Sequence, residues 1–97
     1  MALRWMVIFD ADDAADRAAV DQAFADCADL LRQIPGVRNF VGGPNINPNV
    51  KARRYAVTME FDDADAMKRY AAHENHAAAL AAIQPYNKSA INSLLAI

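Results

Sequence analysis

Three side chains near the C-terminal third could do chemistry together: Tyr70, His73 and His76, in the run Tyr70-Ala71-Ala72-His73-Glu74-Asn75-His76. An imidazole with a pKa near 6.5 is a good base at neutral pH. A neutral tyrosine hydroxyl is a good hydrogen-bond donor. Such a pair suits proton removal next to a carbonyl, with the donor steadying the enolate or alkoxide that develops. Positions 70 and 76 lie about 240° apart on an unbroken helix and would face different ways. The pairing therefore requires a break near Glu74. His73 and His76 are three apart, a spacing that invites a metal, but no third ligand stands at a characteristic distance, and no metal site is expected. His73 also reads as a capping residue at a helix junction, and Tyr70 as a core aromatic with its hydroxyl satisfied. Cys27 lies on an apolar stripe and reads as an inert buried thiol.

The elements that must position these residues follow from periodicity. Ala2 to Phe9 alternates as a strand: Leu3, Trp5, Val7 and Phe9 share one face, Arg4, Met6 and Ile8 the other. Asp10 to Asp13 is a polar turn, with Asp12 or Asp13 as the cap of the next helix. That helix runs to about Ile34, its apolar stripe made by Val20, Phe24, Cys27, Leu31 and Ile34, and Pro35-Gly36 ends it. Val37 to Val41 is a short strand and Gly42 to Lys51 a loop, able to serve as lid or dimer arm. Arg53 to Phe61 is the third strand, with Tyr55, Val57, Met59 and Phe61 on one face. Asp62-Asp63 offers the next helix cap and Asp65 suits its first turn. A second helical piece, Glu74 to Ile83, presents His76, Leu80 and Ile83 together, and Gln84-Pro85 stops it. Ser89 to Ile97 is the last strand. The order β-α-β-β-α-β predicts a ferredoxin-like α+β sandwich with helices on one sheet face. The other face, with Met6, Ile8, Ala56 and Thr58, is too apolar for open water, so the chain is expected to pair with a second copy as a dimeric α+β barrel.

Composition narrows the function. The 97 residues carry 55% hydrophobic and 23% charged side chains and a net charge of −2. That is one globular domain, residues 1–97, not a disordered chain, with no footprint for nucleic acid. A domain this small buries only roughly 60–65% of its unfolded surface, another reason to expect a homodimer. One cysteine fits a reducing compartment. No stretch approaches a signal-peptide core or a membrane span, so a cytoplasmic location and no membrane partner are expected. No phosphate-cradling glycine motif is present. Arg53-Arg54, with Lys51, form a small basic cluster at a strand start, either solvated or set to meet an acidic group at a cavity mouth.

Ile34-Pro35-Gly36-Val37, the turn Phe61-Asp62-Asp63-Ala64-Asp65-Ala66-Met67, and above all the Tyr-x-x-His-x-x-His run at 70–76 resemble the stress-responsive A/B barrel (Dabb) family over nearly the whole chain. Glu74 stands where that family usually has Pro; both suit a first helical position. The resemblance implies a dimeric barrel with a cavity between helices and sheet. A plant member of the family closes a linear polyketide by aldol condensation without metal or cofactor, its Tyr and second His carrying catalysis. Carried over, these are Tyr70 and His76, with His76 as base and Tyr70 as donor. Trp5 and Tyr55 replace two histidines of that cyclase, which makes the expected cavity more aromatic. Trp5, Tyr55 and His73 are then the expected binding residues, and a small apolar or aromatic carbonyl compound the expected ligand. The rival expectations are a non-enzymatic stress or ligand-binding homodimer and a cofactor-free monooxygenase-like protein.

Overall fold

Alternation along β1 (Leu3–Ala11) decides the layer arrangement. In the structure, a computed structural model describing residues 1–97, β1 pairs antiparallel with β3 (Arg54–Phe61), Trp5 opposite Met59, Val7 opposite Val57 and Phe9 opposite Tyr55. Opposed residues share a face. The apolar side chains of both strands therefore make one surface, and the helices cover it: Tyr55, Val57, Met59, Phe61 and Phe9 are all buried. β1 runs two residues beyond Phe9. Asp10 is a strand residue rather than part of a turn because it faces Arg54 across the ladder and accepts two hydrogen bonds from its guanidinium, at 2.7 and 3.1 Å.

Helix α1 (Arg17–Arg32) is capped by Asp16, whose side chain accepts from the Ala19 amide at 3.0 Å. The expected cap, Asp12, instead accepts from the Ala14 amide and closes the preceding turn; Asp13 caps nothing. The helix stops at Arg32, two residues short of the expected end, yet Ile34 still completes the stripe at 2% exposure. Gly36 then turns the chain at φ 91°, a backbone conformation that costs other residues strain.

Strand β2 (Arg38–Pro44) reaches further than the expected 37–41 and absorbs the first three residues of the expected loop. It begins with a bulge: the register shifts between Arg38 and Val41, and Asn39 sits at φ 49°. At Gly42 a Cβ would lie 3.0 Å from the Phe40 side chain and 3.1 Å from that of Val57, so a larger residue would have to push them aside by a few tenths of an ångström.

The second helical crossover is split. Helix α2 (Ala64–Ala72) is capped by Asp63, which accepts from the Ala66 amide at 2.8 Å. Helix α3 (Glu74–Ile83) follows after one extended residue, His73. Its packed face differs from the expected one. Ala79 and Ile83 are buried while Leu80 is 45% exposed. The small Ala79 lets α3 lie close on α1, its main neighbour. Strand β4 (Asn87–Ala96) then pairs antiparallel with β1, starting two residues earlier than expected.

The sheet order is β2-β3-β1-β4, and the fold is ferredoxin-like α+β. The helix-free face has two apolar rows across the sheet, one holding Val41, Thr58 and Met6, the other Ala56, Ile8 and Ile91. A charge pair closes each end: Arg4 with Glu60 at 2.9 Å and Arg54 with Asp10. No helix is long and apolar enough to cross a membrane.

Candidate active site

His73 creates the junction on which the site depends. With φ −71° and ψ 143° it leaves the helical region and serves both α2 and α3 as a cap. Its Nδ1 accepts from the Asn75 amide at 3.0 Å. The Asn75 side chain in turn donates to the Leu30 carbonyl at 3.1 Å, tying the junction to α1. This break turns α3 so that the His76 ring meets the Tyr70 ring edge-on, with centroids 5.0 Å apart and planes at 73°. Tyr70 is only 3% exposed and has Phe61 on its other side at 5.1 Å.

Burial sets the protonation states. It pushes the Tyr70 phenol up to about 12, helped by the nearby Cys27 and opposed by a hydrogen bond from Trp5. Burial also lowers the half-buried His76 below the ordinary 6.5. At neutral pH the pair is thus a neutral imidazole beside a protonated phenol, the states required of a base and a donor. Cys27 itself is pushed up to about 11 by burial, which leaves the thiol unreactive.

Trp5, Tyr70 and His76 come together, with His73 adjacent in the chain. Tyr55 does not join them. It stands opposite Phe9, and Trp5 stands four residues away along β1, about 13 Å at strand spacing. Tyr55 stacks on Phe24 with centroids 4.2 Å apart and donates its hydroxyl to the Asp21 carboxylate. Burial first, then Asp21, raises this phenol to about 12. Tyr55 lines a cavity of about 890 Å³ between α1 and the segment after β2. A second cavity, about 590 Å³, lies on the helix-free face. Trp5, Tyr70, His73 and His76 line neither, so the single cavity expected to hold Trp5, Tyr55, Tyr70 and His76 is replaced by two separate clusters. Cys27 stands between them, lining the larger cavity while acting on Tyr70.

Two residues escaped the sequence reading. Asp21 looked like one more solvated acid on α1, and its only signal is a position three before Phe24, at the edge of the apolar stripe. Asn75 gave no signal beyond lying next to the expected break.

The sequence matches the Stress responsive A/B Barrel Domain, Dabb, over residues 3–92. No curated protein matches it. Among solved structures it is similar to a dimeric ferredoxin-like protein of unknown function from Thermobifida fusca, with 26% identity and TM-score 0.86 over 100% of this chain and 92% of that one. It shares its fold with SnoaB, a cofactor-independent oxygenase from Streptomyces nogalater, at 17% identity and TM-score 0.76 over 99% and 92% of the two chains. The same holds for a hydroxynitrile lyase from Passiflora edulis, at 14% identity and TM-score 0.80 over 99% and 93%. With the family pattern matched across almost its full length, the chain belongs to the stress-responsive A/B barrel (Dabb) family.

Proposed function

We propose that the protein is a small cytoplasmic homodimer that binds an apolar or aromatic carbonyl compound at the Tyr70–His76 pair and performs cofactor-independent proton-transfer chemistry of the aldol, cyclase or isomerase type. The observation that carries this reading is the break at His73, which sets the His76 ring on Tyr70. In the proposed step the neutral imidazole takes the proton next to the carbonyl, and the electron pair moves onto the carbonyl oxygen. The Tyr70 hydroxyl donates to that oxygen as charge develops. In a ring closure the enolate carbon attacks a second carbonyl, and the imidazolium returns its proton to the new alkoxide. Trp5 hydrogen-bonds Tyr70, and His73 holds the junction between the two helices that carry the pair. Leu94, opposite Trp5 in the ladder and 46% exposed, adds an apolar wall on the same side of the sheet. Tyr55, in the other cluster, takes no part in this step.

The homodimer forms through the helix-free face. Its two apolar rows are flanked by charges already paired within one chain, so the face can be buried without stranding an ion. The Thermobifida fusca protein is described as dimeric. One fold relative is named as a hydroxynitrile lyase and another as a cofactor-independent oxygenase, which supports catalysis on this scaffold and, from the second, catalysis without a cofactor.

A second reading has its own observation. Tyr70 is packed between Phe61 and His76, which suits a brace for the α2–α3 junction in a non-catalytic binding homodimer. The experiment that separates them follows deuterium exchange next to the carbonyl in a panel of β-keto compounds. Exchange that falls on the order of 100-fold in His76→Gln, with the melting temperature kept, supports catalysis. Absence of catalysed exchange, with a melting temperature lowered by His76→Gln, supports the brace.

A further inference from the structure

The larger cavity is the part of the molecule that the Tyr70–His76 reading leaves unused. At about 890 Å³ it falls within the range of about 300–1,000 Å³ usual for small-molecule sites. Its floor is aromatic: Phe24 lies flat on Tyr55, and Phe9 tilts against Phe24. Its rim runs against the charge of the chain. Five lining residues are Lys or Arg and three are Asp, in a protein of net charge −2.

The fold accounts for only part of that positive charge. Arg54 is matched by Asp10, and Arg32 by Asp29 at 3.5 Å. The Arg53 guanidinium donates to the Ala15 carbonyl at 2.8 Å and to the carbonyls of Asp12 and Asp13, so its head is held at the mouth with no carboxylate beside it. Arg17 and Lys51 are exposed and form no ion pair. Arg53 and Arg17 line the same cavity as Tyr55 and lie close enough to favour ionisation of its phenol. At the floor itself the only charge is Asp21, held by the Tyr55 hydroxyl. An anion is therefore attracted at the rim and repelled at the bottom. Ile46, 93% exposed on the segment after β2, lies on the same lining and has no packing role in the fold.

We propose that this cavity is a binding site for a small organic carboxylate with a flat apolar body. The carboxylate sits at the rim with Arg17, Lys51 and Arg53. The body lies over Phe24 and Tyr55 and is covered by Ile46. The site goes beyond the Tyr70–His76 reading and does not rest on it, because neither of those residues lines the cavity.

Titration of the protein with naphthoate and with its uncharged amide, naphthamide, followed by backbone amide NMR, tests this. The expected result is saturable binding of naphthoate that shifts amides of α1 and of residues 42–55, leaves the His76 imidazole signals in place, and weakens as salt is raised. Naphthamide, and naphthoate on an Arg17→Gln/Lys51→Gln double variant, each bind about tenfold more weakly or worse, as expected for loss of a partly screened charge pair. Both substituted positions are exposed, so the variant keeps its fold. Equal affinity for acid and amide, an unaffected double variant, no naphthoate binding, or shifts confined to residues 64–83 would each overturn the proposal. The His76 signals report on the other site separately, so the two readings fail independently.

Discussion

His76 is half-buried without a charged partner, and burial disfavours its protonated form. Its folded pKa lies below the unfolded 6.5, so the unfolded chain binds more protons between the two values. This contribution to stability is complete above pH 6.5 and is lost as pH falls from there through the folded value. Denaturant midpoints should therefore fall between pH 7 and pH 5, and His76→Gln should flatten that slope. Tyr70→Phe keeps the ring against Phe61 and removes the donor. It should lower catalysed exchange by about 100-fold while changing stability by about 1 kcal/mol or less. His73 acts differently: it holds the junction through Nδ1. His73→Ala should cost about 1 kcal/mol, the usual value of a lost helix cap, and lower the melting temperature by about 4–8 °C in a domain of this size. His73→Asn, which can still accept from the Asn75 amide, should recover most of it.

At the scale of elements, the helix break was legible as an interrupted register, because residues 70 and 76 could not share a face otherwise. The stripe from Val20 to Ile34 was legible for a similar reason, since a 4-3 spacing of large apolar residues has one burial solution. What the sequence could not show was set across the chain. Asp10 looked like a turn until Arg54 stood opposite it. Ala79 rather than Leu80 faces inward because α3 packs on another helix, where a small residue permits close approach. The separation of Tyr55 from Trp5 depends on register, and alternation places both on one face without saying how far apart they lie. Gly36 makes a direct check on the turn after α1. With φ at 91°, Gly36→Ala should destabilise the fold by about 1 kcal/mol or more, read from denaturant midpoints.

For the whole molecule, the proposed assembly rests on the helix-free face. Val41 and Ile91 on it are 67% and 66% exposed in a single chain, and Met6 and Ile8 lie between them in the sheet. A sheet surface of that kind is stable in water when a second sheet covers it. Ile8→Asp places an unpaired charge at its centre. Light scattering should find the parent at the mass of two chains and the variant at the mass of one, with helix content retained. A variant that stays dimeric would move the interface elsewhere. Asp10 and Glu60, which end the apolar rows, are both held below the usual carboxylate range by hydrogen bonds from Arg54 and Arg4. Their contribution is present above about pH 4 and is lost as acid protonates them, so denaturant midpoints should fall on acidification below that range.

The most direct measurement uses the fact that the chain has two histidines. Imidazole NMR signals, assigned with His73→Asn, are followed from acid to alkaline pH, alone and with phenolic, quinone and β-keto compounds. The account predicts that His76 titrates below 6.5 and that one compound class shifts its signals further. His76 titrating at or above 6.5 and ignoring every compound would contradict the Tyr70–His76 site.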